Sequence, residues 1–293
     1  MDHAAAHEGT GGGQGATLYV VATPVGNLGD ISRRALEILG SVDAVAAEDT
    51  RVTGRLLAHF GIAKRLIAVH EHNERRAVAN VLALLTSGRS LALTCDAGTP
   101  GVSDPGAIVV AAARAAGFPV IAVPGPNAAV AALSVSGMAA PHFLFYGFLP
   151  PKAAARRREL AALARLPFAL VFHEAPHRVE ESVADMCTAL GGKRRIVLAR
   201  ELTKLFESVH SCTLAEARGW LASDPMRRKG EFVLIVEGAG PEKEIEDGHS
   251  HRALTVLLDE LPLKQAVNLA ARITGGKKNE LYQLALELKR RDR

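Results

Sequence analysis

The sequence of 293 residues is 48% hydrophobic and 23% charged, which is typical of a folded chain of about two domains. Its three cysteines, Cys95, Cys187 and Cys212, are widely separated, which excludes a disulfide framework and a zinc-finger spacing, and we expect no metal site. The absence of an uninterrupted apolar run of about 20 residues excludes a membrane-spanning helix. We expect a soluble, cytoplasmic protein.

The net charge of +4 is concentrated at the C-terminus. Residues 250–293 hold nine Lys or Arg against five Asp or Glu, whereas the remainder of the chain has equal numbers of each. This asymmetry favours contact with a polyanion, because clustered cations attract phosphate groups.

The N-terminal half alternates strand and helix patterns. Residues 1–16 are rich in Ala, Gly and His, and we expect a disordered lead-in there. Residues 17–138 predict an α/β domain with a parallel sheet covered by helices. The expected strands are 18–22, 42–46, 66–69, 91–94 and 120–123. The expected helices are 31–39, which Asp30 would cap, 77–85 and 107–116.

Three of these strands are followed by loops rich in Gly and Pro, at residues 23–30, 95–106 and 123–127. Gly adopts backbone angles closed to other residues and Pro lacks an N–H, so such loops leave backbone groups free to face a ligand. Because the carboxyl ends of parallel strands meet at one edge of a sheet, the sequence predicts a ligand cleft at that edge. The first loop lacks the G-x-G-x-x-G pattern, which disfavours a dinucleotide site.

The second half has a different organisation. Residues 139–240 predict a smaller mixed α/β domain, and residues 241–251 are polar and predict a linker. Residues 252–293 carry three helical patterns with Gly275 and Gly276 before the last, typical of a helix-turn-helix. In the second α/β domain the expected strands are 143–148, 168–172, 196–200 and 231–236, and the expected helices are 153–164, 179–190 and 214–221.

Eight short motifs follow one another along the chain. They are Ala22–Asp30, Ala47–Arg51, Asp96–Gly106, Val123–Asn127, Tyr146–Pro150, His173–Arg178, Ala199–Lys204 and Gly230–Val236. In these motifs the chain resembles the family of ribosomal RNA small subunit methyltransferases I, within the tetrapyrrole methylase superfamily. The resemblance extends from about residue 17 to the C-terminus.

The resemblance implies a tetrapyrrole methylase fold, with S-adenosylmethionine bound in a cleft between two α/β domains, and a small helical C-terminal domain. It implies 2′-O-methylation of a cytidine ribose in the decoding region of 16S ribosomal RNA, with the small ribosomal subunit as partner, and a homodimer. The cofactor contacts that it implies are Thr23, Pro24, Gly26, Asp96, Ala97, Gly98, Thr99, Ser103, Pro124, Gly125 and Phe148.

A ribose hydroxyl is a poor nucleophile while protonated, so a general base or a cation beside the developing alkoxide would assist the reaction. The sequence offers several candidates and does not choose among them: Glu48, Asp49, Asp104, His173, Glu174, Glu201 and Lys204. For RNA phosphates we expect contacts from Arg178, Lys277, Lys278, Arg290 and Arg291, with support from the basic triplets at 156–158, 193–195 and 227–229.

Two other functions fit parts of the sequence. A small-molecule methyltransferase acting on a tetrapyrrole would share the cofactor loops, but it would not require a basic helical tail. A non-catalytic RNA-binding or assembly factor would use the tail, but it would not require the carboxylates and glycines of the 96–106 loop.

Overall fold

The computed structural model describes residues 15–70, 73–139, 141–240 and 243–291, with the side chains of 243–251 and 289–291 left out. Nearly all of the expected lead-in, residues 1–16, lies outside the described residues. Among the described residues, no helix is both long enough and apolar enough to cross a membrane.

The first domain is built on a five-stranded parallel sheet. Its strands are β1 (Leu18–Val21), β2 (Ala44–Ala47), β3 (Arg65–Ala68), β4 (Leu91–Thr94) and β5 (Val120–Val123). Their order across the sheet is β3-β2-β4-β1-β5, and all neighbours are parallel. The three strands that carry the Gly- and Pro-rich loops are therefore neighbours, and their carboxyl ends lie side by side. The predicted parallel sheet is confirmed.

Helices connect these strands and cover both faces of the sheet. They are α1 (Arg33–Ser41), α2 (Thr50–His59), α3 (Glu74–Thr86) and α4 (Ala107–Ala115), with a short 3-10 helix at Leu28–Asp30. A further helix, α5 (Ala128–Val135), follows β5. All residues of β2 and β4 are buried, as expected for central strands of a parallel sheet with helices on both sides. Two apolar clusters, one on each face, form the core of this domain.

The second domain contains a mixed five-stranded sheet, one strand more than the four that the sequence predicted. Its strands are β6 (Phe143–Phe148), β7 (Ala169–Glu174), β8 (Arg195–Arg200), β9 (Ser208–Thr213) and β10 (Phe232–Val236), in the order β6-β7-β10-β8-β9. Only β6 and β7 pair in parallel. The connecting helices are α6 (Ala153–Leu163), α7 (Val179–Leu190) and α8 (Leu214–Ala222), with a 3-10 helix at Pro225–Arg228.

Helix α5 joins the two domains. It follows the first sheet in sequence, but its buried residues Ala129 and Ala132 belong to the apolar cluster on one face of the second sheet. Asn127 caps this helix by accepting a hydrogen bond from the backbone N–H of Val130 at 3.1 Å. The segment that leaves the first sheet therefore packs against the second.

Three helices end the chain: α9 (Lys243–Glu260), α10 (Leu263–Thr274) and α11 (Lys278–Arg291). They pack on one another around a cluster of their own that includes Leu254, Val267 and Leu281. The structure corrects the expected linker at 241–251, because α9 begins at Lys243. Lys and Glu dominate the start of this segment, and both have good helix propensity, so a charged sequence here does not prevent a helix.

Other local predictions differ in detail. The cap of α1 is Ser32, whose hydroxyl accepts from the backbone N–H of Ala35 at 3.1 Å, and not Asp30, which ends the short 3-10 helix. Helices α2 and α5 and strand β9 were not predicted. Strand β9 is a half-exposed edge strand of polar sequence, and α2 contains Gly54 and the β-branched residues that weaken helix patterns.

Candidate active site

The loops after β1 and β4 are fixed to each other. The backbone N–H of Thr23 donates to the carbonyl of Gly98 at 2.8 Å, and the backbone N–H of Gly98 donates to the carbonyl of Thr23 at 3.0 Å. The buried hydroxyl of Thr23 also donates to the carbonyl of Cys95 at 3.0 Å. Gly98 has a φ of +86°, which favours glycine. The first loop therefore holds the second in place.

The other end of the 95–106 loop is fixed by a buried carboxylate. Glu74 on α3 accepts hydrogen bonds of 2.9 Å from the backbone N–H groups of Gly106 and Ile108, at the start of α4. These N–H groups have no partner within the helix, so a carboxylate at this position stabilises them. Both ends of the loop are thus anchored by other elements of the domain.

A cleft of about 350 Å³ lies between this sheet edge and the second domain. The loop after β4 forms one wall, and residues of β7, β8 and β10 form the opposite wall. The volume lies within the range of about 300–1,000 Å³ that is typical of small-molecule sites. Ten of the predicted site residues line it: Glu48, Asp96, Ala97, Gly98, Thr99, Asp104, Phe148, His173, Glu174 and Lys204.

Two predicted cofactor residues outside the cleft lining, Gly26 and Ser103, lie where the two domains approach each other closely. A Cβ atom at Gly26 would lie 2.5 Å from Cγ of Lys204, so the first domain approaches the second closely there. A Cβ atom at Gly147 would lie 2.6 Å from the hydroxyl oxygen of Ser103. The predicted cofactor contacts and base candidates that do not line the cleft are Thr23, Pro24, Gly26, Asp49, Ser103, Pro124, Gly125 and Glu201.

Three carboxylates meet at the first-domain wall of the cleft. The backbone N–H of Asp96 donates to Glu48 at 3.2 Å, and the backbone N–H of Asp49 donates to Asp96 at 3.0 Å. Burial raises the pKa of Glu48, Asp96 and Asp104, and the negative charge of neighbouring carboxylates adds to the effect in each case. This acidic cluster (Glu48, Asp96 and Asp104) favours the binding of a cation.

Two polar neighbours of the acidic cluster have structural roles. Asp49 caps α2 by accepting from the backbone N–H of Arg51 at 2.8 Å, and it also pairs with the Arg51 guanidinium at 2.6 Å. Hydrogen bonds from Arg51 hold the pKa of the Asp49 carboxyl well below its usual range. Burial and the charge of Asp104 raise the pKa of the Cys95 thiol, so Cys95 stays protonated, as expected of a packing residue.

His173 occupies the opposite wall. Its ring lies between Phe145 and Phe148, with centroid distances of 5.0 Å and 5.4 Å and edge-to-face geometry. Burial lowers the pKa of this imidazole, so the ring is neutral near pH 7. Its Nε2 atom is buried and has no hydrogen-bond partner among the residues that the structure describes. The ring of His173 therefore contributes an aromatic surface to the cleft, and its Nε2 atom could form a hydrogen bond with a ligand.

Glu174 and Arg178 are committed to internal contacts. The buried carboxylate of Glu174 accepts from the hydroxyl of Ser182 at 2.5 Å and from the backbone N–H of Ala175 at 2.8 Å. The guanidinium of Arg178 donates to the carbonyl of Leu149 and lies 3.4 Å from Glu174. These contacts tie the start of α7 to β7, and the expected contact of Arg178 with RNA would have to break them.

Lys204 lies on the second-domain wall within an ion-pair network. Its ammonium donates to Glu201 at 3.0 Å and to Glu231 at 2.9 Å. Partial burial lowers its pKa, but the hydrogen bonds to the two carboxylates outweigh this and raise the pKa overall. Lys204 is therefore charged and paired, which is unsuitable for a base. Glu201 and Thr203 have φ values of +51° and +66°, so this loop is held in a strained conformation.

Most of the apolar lining was missed by the sequence analysis. It comes from strand ends and loops whose pattern indicates only packing, and no signal distinguishes such residues from ordinary core. All of the missed residues except Ala128 lie in the quoted motifs, and Asn127 and Glu231 are the polar members that the motifs could have revealed. The additional lining residues are Val25, Val102, Asn127, Ala128, Ala175, Pro176, Ala199, Leu202, Glu231, Phe232 and Val233.

Comparison with known proteins identifies the family. Residues 17–218 match the family model of tetrapyrrole (corrin/porphyrin) methylases, and residues 245–289 match that of the RsmI C-terminal HTH domain. A relative from Escherichia coli O157:H7, named ribosomal RNA small subunit methyltransferase I, is 49% identical over 96% of this chain and 98% of its own. The chain belongs to the ribosomal RNA small subunit methyltransferase I family.

Other relatives agree with this assignment. The family member from Pseudomonas aeruginosa is 53% identical over 92% of this chain and 97% of its own length. Among solved structures, a uroporphyrin-III C-methyltransferase from Thermus thermophilus, complexed with S-adenyl homocysteine, aligns with a TM-score of 0.55 at 18% identity. That alignment covers 75% of this chain and 97% of the other, and it confirms the tetrapyrrole methylase fold.

The basic side chains of this family member are not all available to a nucleic acid. Lys277 and Lys278 are exposed at the start of α11, and Lys277 has one ion pair with Glu280 at 3.5 Å. The side chains of Arg290 and Arg291 lie outside the described residues. The C-terminal helices therefore present at least two lysines to solvent.

The basic triplets of the second domain are partly internal, which corrects the expectation that they face phosphate. Arg156 is buried, and its guanidinium pairs with Asp185 at 2.6 Å. Arg194 donates to the carbonyl of Ala164, and burial lowers its pKa. Arg227 lies over the ring of Trp220, 4.8 Å from its centroid. A run of basic residues in the sequence does not reveal which members turn inward.

Proposed function

We propose that this methyltransferase transfers a methyl group from S-adenosylmethionine to the 2′-hydroxyl of a cytidine ribose in 16S ribosomal RNA. The observation that carries the proposal is the acidic cluster at one wall of a cleft of about 350 Å³, in a chain whose relatives are named for methylation of small-subunit ribosomal RNA. Such a cleft suits a cationic methyl donor, and the basic C-terminal helices suit an RNA acceptor.

The cleft residues fit the cofactor in charge and in shape. S-adenosylmethionine supplies an activated methyl group on a sulfonium, beside an ammonium and a carboxylate. Asp96 and Asp104 offer negative charge to its cationic groups. The backbone of Ala97, Gly98 and Thr99 lines the cleft and offers polar groups at close range. The aromatic rings of Phe148 and His173 offer an apolar wall for a purine ring.

Glu48 is our candidate for the general base. It lines the cleft, and its only described hydrogen bond is the one from the backbone N–H of Asp96. Its raised pKa moves it closer to the operating pH, where a base is most effective. Of the other candidates, Asp49, Glu174, Glu201 and Lys204 are less suitable, since hydrogen bonds, ion pairs or a helix cap already occupy them.

The assembly that we propose is a homodimer acting on the small ribosomal subunit in the cytoplasm. Exposed lysines of the C-terminal helices, including Lys277 and Lys278, would bind phosphate groups of the RNA. A tetrapyrrole substrate is disfavoured, because the solved tetrapyrrole enzymes share the fold at 16–21% identity, whereas the ribosomal RNA methyltransferases share about half of the residues.

The test is methyl transfer from labelled S-adenosylmethionine to purified small ribosomal subunits that lack the modification. Mass spectrometry of the digested RNA then identifies the modified nucleoside, and free 16S RNA and a tetrapyrrole serve as alternative acceptors. We expect 2′-O-methylcytidine from the subunits. Absence of transfer to any RNA, in a preparation that binds the cofactor, would contradict the proposal.

A further inference from the structure

A second cavity of about 220 Å³ lies beside the cofactor cleft. The two cavities share Asp96, which lines both. The second cavity opens along helix α2, whose first turns supply half of its lining. Its lining includes the apolar residues Pro24, Leu28, Val52 and Leu56 and the polar residues Thr53 and Arg55.

We propose that this cavity, the α2 pocket, receives the target nucleoside of the RNA. The proposal rests on the proposed function and extends it to the place where the acceptor binds. A methyl group moves in line between donor and acceptor, so the acceptor must enter next to the cofactor cleft and from a different direction. The α2 pocket satisfies this, because it adjoins the cleft at Asp96.

The composition of the α2 pocket suits a nucleoside turned out of its stack. Enzymes that modify nucleic acids hold the extruded nucleotide in a snug pocket, between apolar side chains that cover the faces of the base. Val52 and Leu56, one turn apart on α2, and Leu28 provide such surfaces. The cavity is smaller than the roughly 300–1,000 Å³ of sites for drug-sized ligands, which is appropriate for one base and its sugar.

The charge at the mouth of the α2 pocket suits RNA as well. Arg55 is exposed, and no ion pair involves it among the residues that the structure describes. Its neighbour one turn earlier, Arg51, is by contrast paired with Asp49. A free guanidinium at the rim of a nucleoside-sized cavity is placed to bind the phosphate attached to that nucleoside.

The first test fills the cavity. In Leu56→Trp a larger side chain occupies the α2 pocket, and Ala58→Trp places the same bulk on an exposed position of α2 outside it. We expect Leu56→Trp to lower kcat/KM for small subunits by at least about tenfold, which corresponds to about 1.4 kcal/mol. Its dissociation constant for S-adenosylmethionine, measured by calorimetry, should stay within about twofold of the wild type. Ala58→Trp should resemble the wild type in both measurements.

The second test removes the charge without affecting the interior. Arg55→Ala should weaken binding to small subunits and reduce the slope of log affinity against log salt concentration by about one. Arg55→Lys should restore part of the affinity. The control is Arg89→Ala, which removes an exposed arginine next to the amino end of β4, at the opposite edge of the sheet, and should leave the slope unchanged.

The outcomes separate this proposal from the function itself. Wild-type activity of Leu56→Trp on subunits would overturn the α2 pocket as acceptor site and leave the methyltransferase function intact. Loss of cofactor binding in Leu56→Trp, together with an unchanged salt slope in Arg55→Ala, would place the cavity in the cofactor site and also overturn the proposal. Failure of the wild type to methylate any RNA would reject the function first, and the acceptor pocket with it.

Discussion

Glu48 and Asp49 are adjacent in sequence and occupy opposite environments. Asp49 faces solvent beside Arg51 and caps a helix, and these contacts lower its pKa. Glu48 faces the cleft among other carboxylates, and burial raises its pKa. The surroundings therefore raise the pKa of one carboxyl and lower the pKa of its neighbour. Enzymes use such differences in environment to give two carboxylates different roles.

The pair provides a matched test of the general base. Glu48→Gln should lower kcat by about 10²- to 10⁴-fold, the typical contribution of a positioned base, with a smaller effect on cofactor affinity. Asp49→Asn, which retains an oxygen that can cap α2, should keep most of the activity. The measurement is single-turnover methyl transfer to small subunits. Comparable activity of the two variants would rule out Glu48 as the base.

The pH dependence has a definite sign. A base must be deprotonated to act, so activity should fall as the pH falls through the pKa of Glu48. Because that pKa is raised above its ordinary value of 4.5, the acid limb of the kcat profile should lie above the range of an unperturbed glutamate. Glu48→Gln should lack this limb. An acid limb that persists unchanged in Glu48→Gln would assign it to another group.

At the level of single residues, several residues that were predicted for the site lie in the cleft lining. Asp96, Ala97, Gly98 and Thr99 were expected as cofactor contacts from the family resemblance, and they line the cleft. Glu174 was also predicted to act in the cleft, but its carboxylate is occupied by Ser182. The identity of a side chain's partner depends on distant parts of the chain and is not contained in the motif.

Among the elements, the loop between β4 and α4 depends on anchors outside itself. Its first part pairs with Thr23, and its end is held by Glu74. Because Glu74 satisfies helix N–H groups that are buried or partly buried, the loop conformation and the position of α4 are coupled.

Removal of this anchor should affect both stability and binding. Glu74→Ala leaves the N–H groups of Gly106 and Ile108 without a protein partner, which costs about 1–3 kcal/mol in the free energy of unfolding. Urea unfolding and calorimetry should show the lower stability together with weaker cofactor binding, and Glu74→Gln should recover part of both. Ser32→Ala, a lost helix cap remote from the loop, should lower stability alone. Full cofactor affinity in Glu74→Ala would show that the loop does not need this anchor.

Elements with strong apolar patterns were predicted well, and those with weak patterns were not. Strands β4 and β5 and helix α7 have the predicted bounds because their flanking Gly, Pro and charged residues mark the ends. Helix α5 was missed, since its small apolar residues show little periodicity and its formation depends on packing against the second sheet. Tertiary contacts determine such segments more than local propensity does.

As a whole molecule, the chain has a catalytic part and a separate helical part. The C-terminal helices α9, α10 and α11 surround their own apolar cluster and carry exposed lysines. The cleft is formed entirely by residues before them. We therefore propose that the C-terminal helices add phosphate contacts outside the cleft and the α2 pocket.

This separation predicts the result of a truncation. Removal of residues 243–293 should weaken binding to small subunits and flatten its dependence on salt, because phosphate-binding cations are lost. The dissociation constant for S-adenosylmethionine should remain within about twofold. A full-length variant with Lys277→Ala and Lys278→Ala should show a smaller flattening of the same kind. An unchanged salt slope in the truncated protein would mean that the C-terminal charge does not contact RNA.

The sequence predicted two α/β domains and a helical tail, but it did not predict how the two domains meet. That arrangement depends on close approaches such as Gly26 to Lys204 and Gly147 to Ser103, in which a missing side chain permits contact. A glycine in a motif predicts an unusual backbone or a near neighbour without indicating which neighbour. The geometry of the cleft therefore had to come from the structure.

The position of the cleft also has a consequence for biosynthesis. Its lining begins at Val25 and ends at Val233, so the two walls are made at opposite ends of the catalytic part of the chain. Domains emerge and fold from the N-terminus during translation. The first domain can form its parallel sheet early, but the opposite wall is absent until β10 has been synthesised. A nascent chain therefore gains a complete cleft only when its second domain has left the ribosome.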